Sequence, residues 1–302
     1  MWQEQIKEIT DGNSKTLARC ISFVENEVDG YEALLQSLPH SSTPIIGITG
    51  PPGAGKSTLV DSLIHVLVSE EKKVGVLCVD PSSPFNLGAL LGDRIRMSEW
   101  YNNPNVFIRS LATRGSLGGL HPKIIEICDL MKAAPFDYII IETVGVGQSE
   151  IEIAGLADVT AVVLVPEAGD EVQTMKAGLM EIADLFIVNK ADRPGADMFV
   201  KNLTSMLAPA FHNHNAEVPV MKTVASQKTG ITELYDCIKK MIAAGQQNDK
   251  RYWLLAEKAY QLIQNKKMKG VDKSVLKKEI ETLSAEKDFN LYKYLAEKIK
   301  LL

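Results

Sequence analysis

The stretch Gly50-Pro51-Pro52-Gly53-Ala54-Gly55-Lys56-Ser57-Thr58 constrains this chain more than any other. It follows the pattern G-x-x-x-x-G-K-[ST] without departure. An apolar run, Ile45-Ile46-Gly47-Ile48, precedes it and reads as a buried strand. Leu59, Val60, Leu63, Ile64 and Leu67 follow, spaced to bury a helix on more than one side. In a strand–loop–helix setting the glycines let backbone N–H groups turn onto phosphate oxygens, and the helix N-terminus adds partial positive charge. Lys56 then reaches the β- and γ-phosphates, and Ser57 offers its hydroxyl to Mg²⁺. A glycine-rich turn that binds nothing is the plain alternative, and the flanking strand and helix weigh against it.

The rest of the chain alternates in the same manner. Strands are predicted at Val74–Asp80, Val106–Leu111, Tyr138–Glu142, Thr160–Val165, Leu185–Asn189 and Val218–Thr223, with helical stretches between them. Most are continuous apolar runs, as expected of strands covered on both faces. The pattern predicts an α/β fold with a doubly wound, mainly parallel sheet, whose ligands bind at the carboxyl ends of the strands. Residues 1–40 read as a helical extension, with a stripe at Leu17, Ile21, Phe23, Val24 and Val28. Residues 41–245 form the phosphate-loop domain. From residue 246 to 302 three amphipathic helices follow, which could pack on the main domain or pair with a second copy; the aromatic content of Trp253, Tyr260, Tyr292 and Tyr294 favours a dimer contact.

Two further motifs concern the nucleotide. Asn189-Lys190-Ala191-Asp192 follows an apolar strand. A carboxylate at Asp192 accepts from both N1–H and the exocyclic amine of guanine, a donor pair adenine lacks. Asn189 would hold the loop, and Lys190 would lay its stem over the nucleotide. Ser226-Gln227-Lys228-Thr229-Gly230 follows the last strand, where backbone N–H groups could reach the base; by itself it is an ordinary turn.

Acidic residues complete the pattern. Glu142-Thr143-Val144-Gly145 closes a strand, so that Glu142 would hold Mg²⁺ and Gly145 would sense the γ-phosphate. Ser57, Asp80, Asp93 and Glu142 could share an oxygen shell of the kind Mg²⁺ prefers. The plain alternative is that Asp80 and Asp93 are helix caps, a reading that Asp93, ahead of Arg94-Ile95-Arg96-Met97, fits equally well. Ras-like proteins place a water-positioning Gln directly after the switch glycine, whereas Val146 stands here and Gln148 lies two residues further on. Arg94, Arg96 or Arg114 could supply charge stabilisation. The pair His212 and His214 reads as a surface loop.

Composition excludes several classes. A formal charge of -5 argues against a general nucleic-acid binder. The four cysteines are scattered, with Cys78 and Cys128 in apolar runs, which fits a reducing cytosol. The N-terminus reads as no secretory signal, and no run resembles a membrane span, so a cytoplasmic location is expected.

With these residues in view, the chain resembles the MeaB/ArgK family of G proteins, which includes the human methylmalonic-aciduria type A protein. The resemblance spans nearly the whole chain. Its specific stretches are 79–84 (VDPSSP), 92–97 (GDRIRM), 142–150 (ETVGVGQSE) and 166–173 (PEAGDEVQ). It implies a G domain of the class shared by the signal-recognition-particle and nickel-insertion GTPases (SIMIBI type), with Glu142 as the expected family residue. It also implies a GTPase chaperone that gates adenosylcobalamin loading into an acyl-CoA mutase, usually methylmalonyl-CoA mutase, and helps rescue inactivated mutase. A homodimer built partly through the C-terminal helices is implied too. So is a switch loop at 167–176, with Asp170, Glu171 and Lys176 coupling nucleotide state to the mutase. By the same token Lys56, Glu142 and Gln148 are expected in catalysis. Gln227-Lys228 departs from the commoner Ala-Arg, and Pro51 and Ala54 vary at free loop positions. A nickel-type metallochaperone lacks its usual Cys/His cluster here. A phosphotransferase, the family's older transport-kinase label, is the other rival.

Overall fold

The computed structural model describes residues 2–80, 97–114, 120–144, 149–168, 180, 182–210, 218–245, 249–268, 271–284 and 289–300. The chain divides into two compact units, residues 1–249 and 250–302.

The first unit is built on seven parallel strands: β1 (Ile45–Thr49), β2 (Val74–Asp80), β3 (Val106–Ala112), β4 (Tyr138–Glu142), β5 (Val159–Leu164), β6 (Leu185–Val188) and β7 (Val220–Lys222). Their order is β3-β2-β4-β1-β5-β6-β7. The chain winds outward from β1 in both directions, so the carboxyl end of β1 lies at the point where ligands bind in such sheets. Register brings the key strand ends level: Ile48 pairs with Glu142 and Ala161, and Cys78 pairs with Glu142. The expected strands are all present, and the expectation of a doubly wound parallel sheet holds. β7 is shorter than expected; it is an edge strand whose three residues pair with Phe186, Ile187 and Val188 of β6.

Helices cover both faces. Ile46, Ile48, Val76, Cys78, Ile140, Val163 and Ile187 join Leu59, Leu63, Ile64 and Leu67 of α4 (Lys56–Ser69) in one core. Leu234, Tyr235 and Ile238 of α8 (Ile231–Ala244) close that core. The opposite face carries α5 (Ile124–Lys132) and α6 (Ser149–Leu156). There a Cβ on Gly47 would stand 2.7 Å from Ile153, so helix and strand meet closely. Burying each Leu or Ile of α4 contributes about 1.5–3 kcal/mol. An exposed ion pair contributes about 0–1 kcal/mol. Packing therefore fixes the helix end that presents Lys56 and Ser57. A further helix, α7 (Ala196–Ala210), precedes β7.

The N-terminal helices α1 (Gln3–Thr10), α2 (Ser14–Glu25) and α3 (Tyr31–Gln36) belong to the first unit. Asn13 caps α2 by accepting from Lys15 N and Thr16 N. Leu17, Ile21 and Val24 are buried as the stripe predicts. Val28 is 45% exposed, because α2 stops at Glu25 and Val28 falls in the turn beyond it. Arg109 of β3 donates to Glu25 Oε2 (2.7 Å) and Ser22 Oγ (3.0 Å), tying α2 to the sheet edge. Cys78 and Cys128 are buried, and burial pushes the Cys128 thiol up, leaving it a neutral core residue.

The second unit holds α9 (Asp249–Lys267), α10 (Lys273–Leu283) and α11 (Leu291–Lys300). Lys298 Nζ and Tyr294 Oη both donate to Glu279, joining α11 to α10. Tyr252, Tyr260, Tyr292 and Trp253, the last 79% exposed, lie on the surface of this unit. No helix among the described residues is long and apolar enough to cross a membrane.

Candidate functional site

The phosphate loop is shaped by two glycines that no other residue can replace. Gly50 has φ +138°, and a Cβ there would come within 2.1 Å of the Val163 carbonyl oxygen. The loop thus leaves β1 pressed against the backbone of β5. Gly55 has φ +87° and caps α4, and its Cβ would lie 2.5 Å from Asn189 Nδ2. Between them Pro52 and Gly53 are exposed, Pro51 is half-buried and Ala54 is buried. Lys56 is buried, and its ammonium donates to the carbonyl oxygens of Gly50 (2.9 Å) and Pro51 (3.1 Å), folding the side chain back over the loop. Ser57 and Thr58 begin the first turn of α4, with backbone N–H groups at the positive end of the helix dipole.

A carboxylate touches the helix that follows this loop. Ser57 Oγ donates to Glu142 Oε1 at 2.7 Å, and both residues are buried. The longer reach of Glu compared with Asp lets a residue at the end of β4 touch the first turn of α4. Asp80, also buried, closes β2, the other neighbour of β4. Thr143 Oγ1 donates to Thr49 Oγ1 (2.9 Å), locking the end of β4 to that of β1. Hydroxyl and carboxylate oxygens with no nitrogen or sulfur among them are the donor set a small hard cation such as Mg²⁺ takes.

The loops after β6 and β7, expected on the base side, are bolted to the phosphate loop and to each other. Asn189 is buried and donates through Nδ2 to Ala54 O (2.9 Å). Its Oδ1 accepts from Ala225 N (3.1 Å) and Thr223 Oγ1 (3.2 Å). Lys190 sits at φ +56° and donates to Gly53 O at 2.7 Å, so its stem crosses over the loop. Ala191 N donates to Thr223 O (3.0 Å), and Asp192 is exposed at the outer end. In the second loop, Val224 bridges Thr229, Lys228 takes φ +57°, and Ser226, Gln227 and Lys228 are exposed. Two non-glycine residues in left-handed geometry, one on each base-side loop, are a cost of the kind that gathers at binding sites.

Several predicted residues fall elsewhere. Asp93, Gly145, Gln148, Asp170, Glu171 and Lys176 lie outside the described residues, as do Arg94, Arg96, His212 and His214. Arg114 is described, and it donates to Glu25 and Asn26 of the N-terminal region. Sequence reasoning passed over Ser62, buried on α4, whose hydroxyl donates to Ala225 O (2.7 Å) and ties the second base-side loop to that helix. It also passed over the ion pair of Arg193 with Glu167, which joins the turn after β5 to the loop after β6 and holds the Glu167 carboxyl below its usual range. Neither has a motif of its own; only the fold brings the partners together.

The family model described as "Methylmalonyl Co-A mutase-associated GTPase MeaB" matches residues 17–278. A putative GTPase of Pyrococcus abyssi is 42% identical over 304 aligned positions, covering 97% of this chain and 94% of that one. A fused isobutyryl-CoA mutase of Geobacillus kaustophilus is 36% identical over 239 positions, covering 74% of this chain and 22% of its own. Among solved structures, an LAO/AO transport system kinase superposes with a TM-score of 0.70 at 26% identity, covering 99% of this chain and 96% of that one.

Proposed function

We propose a function from one premise: the chain belongs to the MeaB family of methylmalonyl-CoA mutase-associated GTPases. Within that family it is a GTP-hydrolysing chaperone that gates adenosylcobalamin loading into an acyl-CoA mutase and protects or reactivates the mutase. The observation that carries the partner is the Geobacillus relative, in which the stretch like this chain makes up 22% of a protein named a fused isobutyryl-CoA mutase. A mutase of that chemistry, methylmalonyl-CoA mutase foremost, is the client we assign.

In this reading the backbone of residues 50–58 cradles the phosphates, and Lys56 swings from the Gly50 and Pro51 carbonyls to the β- and γ-phosphate oxygens. Ser57, Asp80 and Glu142, with Asp93, would hold Mg²⁺ through hard oxygen donors. The ion, when bound, would supply neutralisation of phosphate charge. Asp192 accepts from the guanine N1–H and amine, and backbone N–H groups of Ser226, Gln227 and Lys228 line the base. Gly145 and Gln148 follow the strand end of Glu142 and read the γ-phosphate and attacking water; Asp170, Glu171 and Lys176 pass nucleotide state to the mutase. The protein works in the cytoplasm as a homodimer joined through residues 246–302.

A phosphotransferase is the second reading, favoured by the name of the transport system kinase whose fold this chain shares. Phosphate release from GTP and from ATP, with and without methylmalonyl-CoA or isobutyryl-CoA mutase, separates the two. Slow hydrolysis confined to GTP and accelerated by a mutase is expected. GTP hydrolysis that ignores both mutases removes the client. Phosphate transfer to an amino acid or protein in place of release establishes the kinase, and equal use of ATP overturns the role of Asp192.

A further inference from the structure

On the helix that follows the phosphate loop a second group of ligand-type side chains meets, and no sequence motif marks it. Asp61 and His65 stand at i and i+4 on α4, so they share one face of the helix. Glu99 comes from the short turn Ser98–Trp100, 34 residues further along. One carboxylate oxygen from each acid and one ring nitrogen of His65 all lie within 4.8 Å of one another. His65 Nε2 and Glu99 Oε1 are 2.9 Å apart.

Trp100 organises this group without belonging to it. The indole is 6% exposed, and its Nε1–H donates to Asp61 Oδ1 at 2.7 Å. The same ring meets the His65 imidazole edge-on, with centroids 4.5 Å apart. One side chain therefore fixes both α4 ligands: it holds one oxygen of the carboxylate and sets the plane of the imidazole. Carboxylates and imidazoles that bind metals are oriented in this way by partners behind them.

We propose that Asp61, His65 and Glu99 bind one divalent transition-metal ion of the zinc, cobalt and nickel kind, at a site separate from Ser57 and Glu142. The imidazole nitrogen selects this class over Mg²⁺ and Ca²⁺, which take oxygen alone. Two ligands each about 2.1 Å from such an ion stand roughly 3.4–4.2 Å apart. The Glu99 side chain, 53% exposed, closes the remaining distance by ordinary rotation. The ion replaces the His65–Glu99 hydrogen bond, and water completes its shell, so the site is open and exchangeable. It clamps the helix that begins with Lys56 and Ser57 to the turn at Ser98–Trp100. The absence of sulfur ligands sets this site apart from the Cys/His clusters of metal-delivery GTPases.

The test uses the full chain, stripped with a chelator, desalted and kept in excess Mg²⁺ so that oxygen-only sites are filled. Co²⁺ is titrated in, and its visible ligand-field absorption is followed. Tryptophan emission is recorded in parallel in a Trp2→Phe/Trp253→Phe background, which leaves Trp100 as the only indole. We expect one Co²⁺ per chain, quenching of Trp100, displacement by Zn²⁺, and no displacement by Mg²⁺. His65→Ala and Glu99→Gln, both on the surface side of the helix and turn, each weaken binding at least tenfold while far-UV circular dichroism stays unchanged. Equal Co²⁺ affinity in His65→Ala and the parent, displacement by Mg²⁺, or the lack of saturable binding in the folded parent overturns the proposal.

Discussion

Replacing Asn189 with alanine tests whether the site is one framework or a set of loops joined only by nucleotide. The side chain satisfies three buried groups: Ala54 C=O at 2.9 Å, Ala225 N–H at 3.1 Å and the Thr223 hydroxyl at 3.2 Å. The hydroxyl can rotate to another acceptor. The two backbone groups cannot move, and leaving a buried polar group unpaired costs about 1–3 kcal/mol. The loss is therefore about 2–6 kcal/mol, and about 1 kcal/mol if water fills the space left behind. A loss at the upper end is a large share of the roughly 5–15 kcal/mol of a typical domain. The assay is urea unfolding of the nucleotide-free chain, read as a shift in midpoint at constant slope. Asn189→Asp keeps the acceptors for Ala225 N and Thr223 but turns a carboxylate oxygen toward the Ala54 carbonyl, so it destabilises at least as much. Asp192→Ala, at an exposed position, is the control and shifts stability by no more than about 0.5 kcal/mol. If Asn189→Ala unfolds within about 0.5 kcal/mol of the parent while GTP affinity falls, the framework reasoning is wrong, and Asn189 acts only on the nucleotide.

Asp192→Ala is also expected to lower the preference for GDP over ADP by about a hundredfold, since guanine loses the acceptor for its donor pair; competition binding measures the ratio, and an unchanged ratio moves base selection elsewhere. In the second unit, hydrogen bonds from Lys298 and then Tyr294 hold the Glu279 carboxyl below its ordinary value of 4.5. A lowered native value means the contact between α10 and α11 is fully supported above about pH 4.5 and weakens as pH falls through the lower native value. The near-ultraviolet circular dichroism of the tyrosines reports this step, and its persistence in Glu279→Gln would assign it to another group.

What the sequence showed and what it hid divide along one line. Continuous apolar runs located most of the strands, because a strand buried on both faces has no polar positions to mask it; β3, which carries Arg109 and Ser110, and β7, which ends at Lys222, are only partly buried. The phosphate loop and Asn189–Asp192 were legible because their chemistry lies within a few consecutive residues. The end of α2 was missed by the apolar stripe, since Val28 continues the spacing although the helix has already closed. Ser62, Thr49 and the Arg193–Glu167 pair were invisible for another reason. Each depends on a partner between 26 and 163 positions away in the chain. Asp61, His65 and Glu99 are hidden likewise, and Trp100, which brings them together, reads in the sequence only as one more core aromatic.

The way the loops are joined limits where a nucleotide-dependent change can arise. Asn189 and Lys190 fasten the base-side loop to Ala54 and Gly53, and Ser62 fastens the second loop to α4. α4 is in turn held by its buried leucines and isoleucines. In the proposed reading the base and the β-phosphate therefore meet a single hydrogen-bonded body. On this frame only groups that approach the γ-phosphate can distinguish the two nucleotides. In the proposed reading those are, of the described side chains, Lys56, which would leave two carbonyl oxygens to reach a phosphate, and Glu142, whose oxygen accepts from Ser57. Lys56 bonds the Gly50 carbonyl directly after β1, and Glu142 is the last residue of β4. Substitutions at Asp192 should accordingly weaken GTP and GDP by the same factor, whereas substitutions at Glu142 should change their ratio.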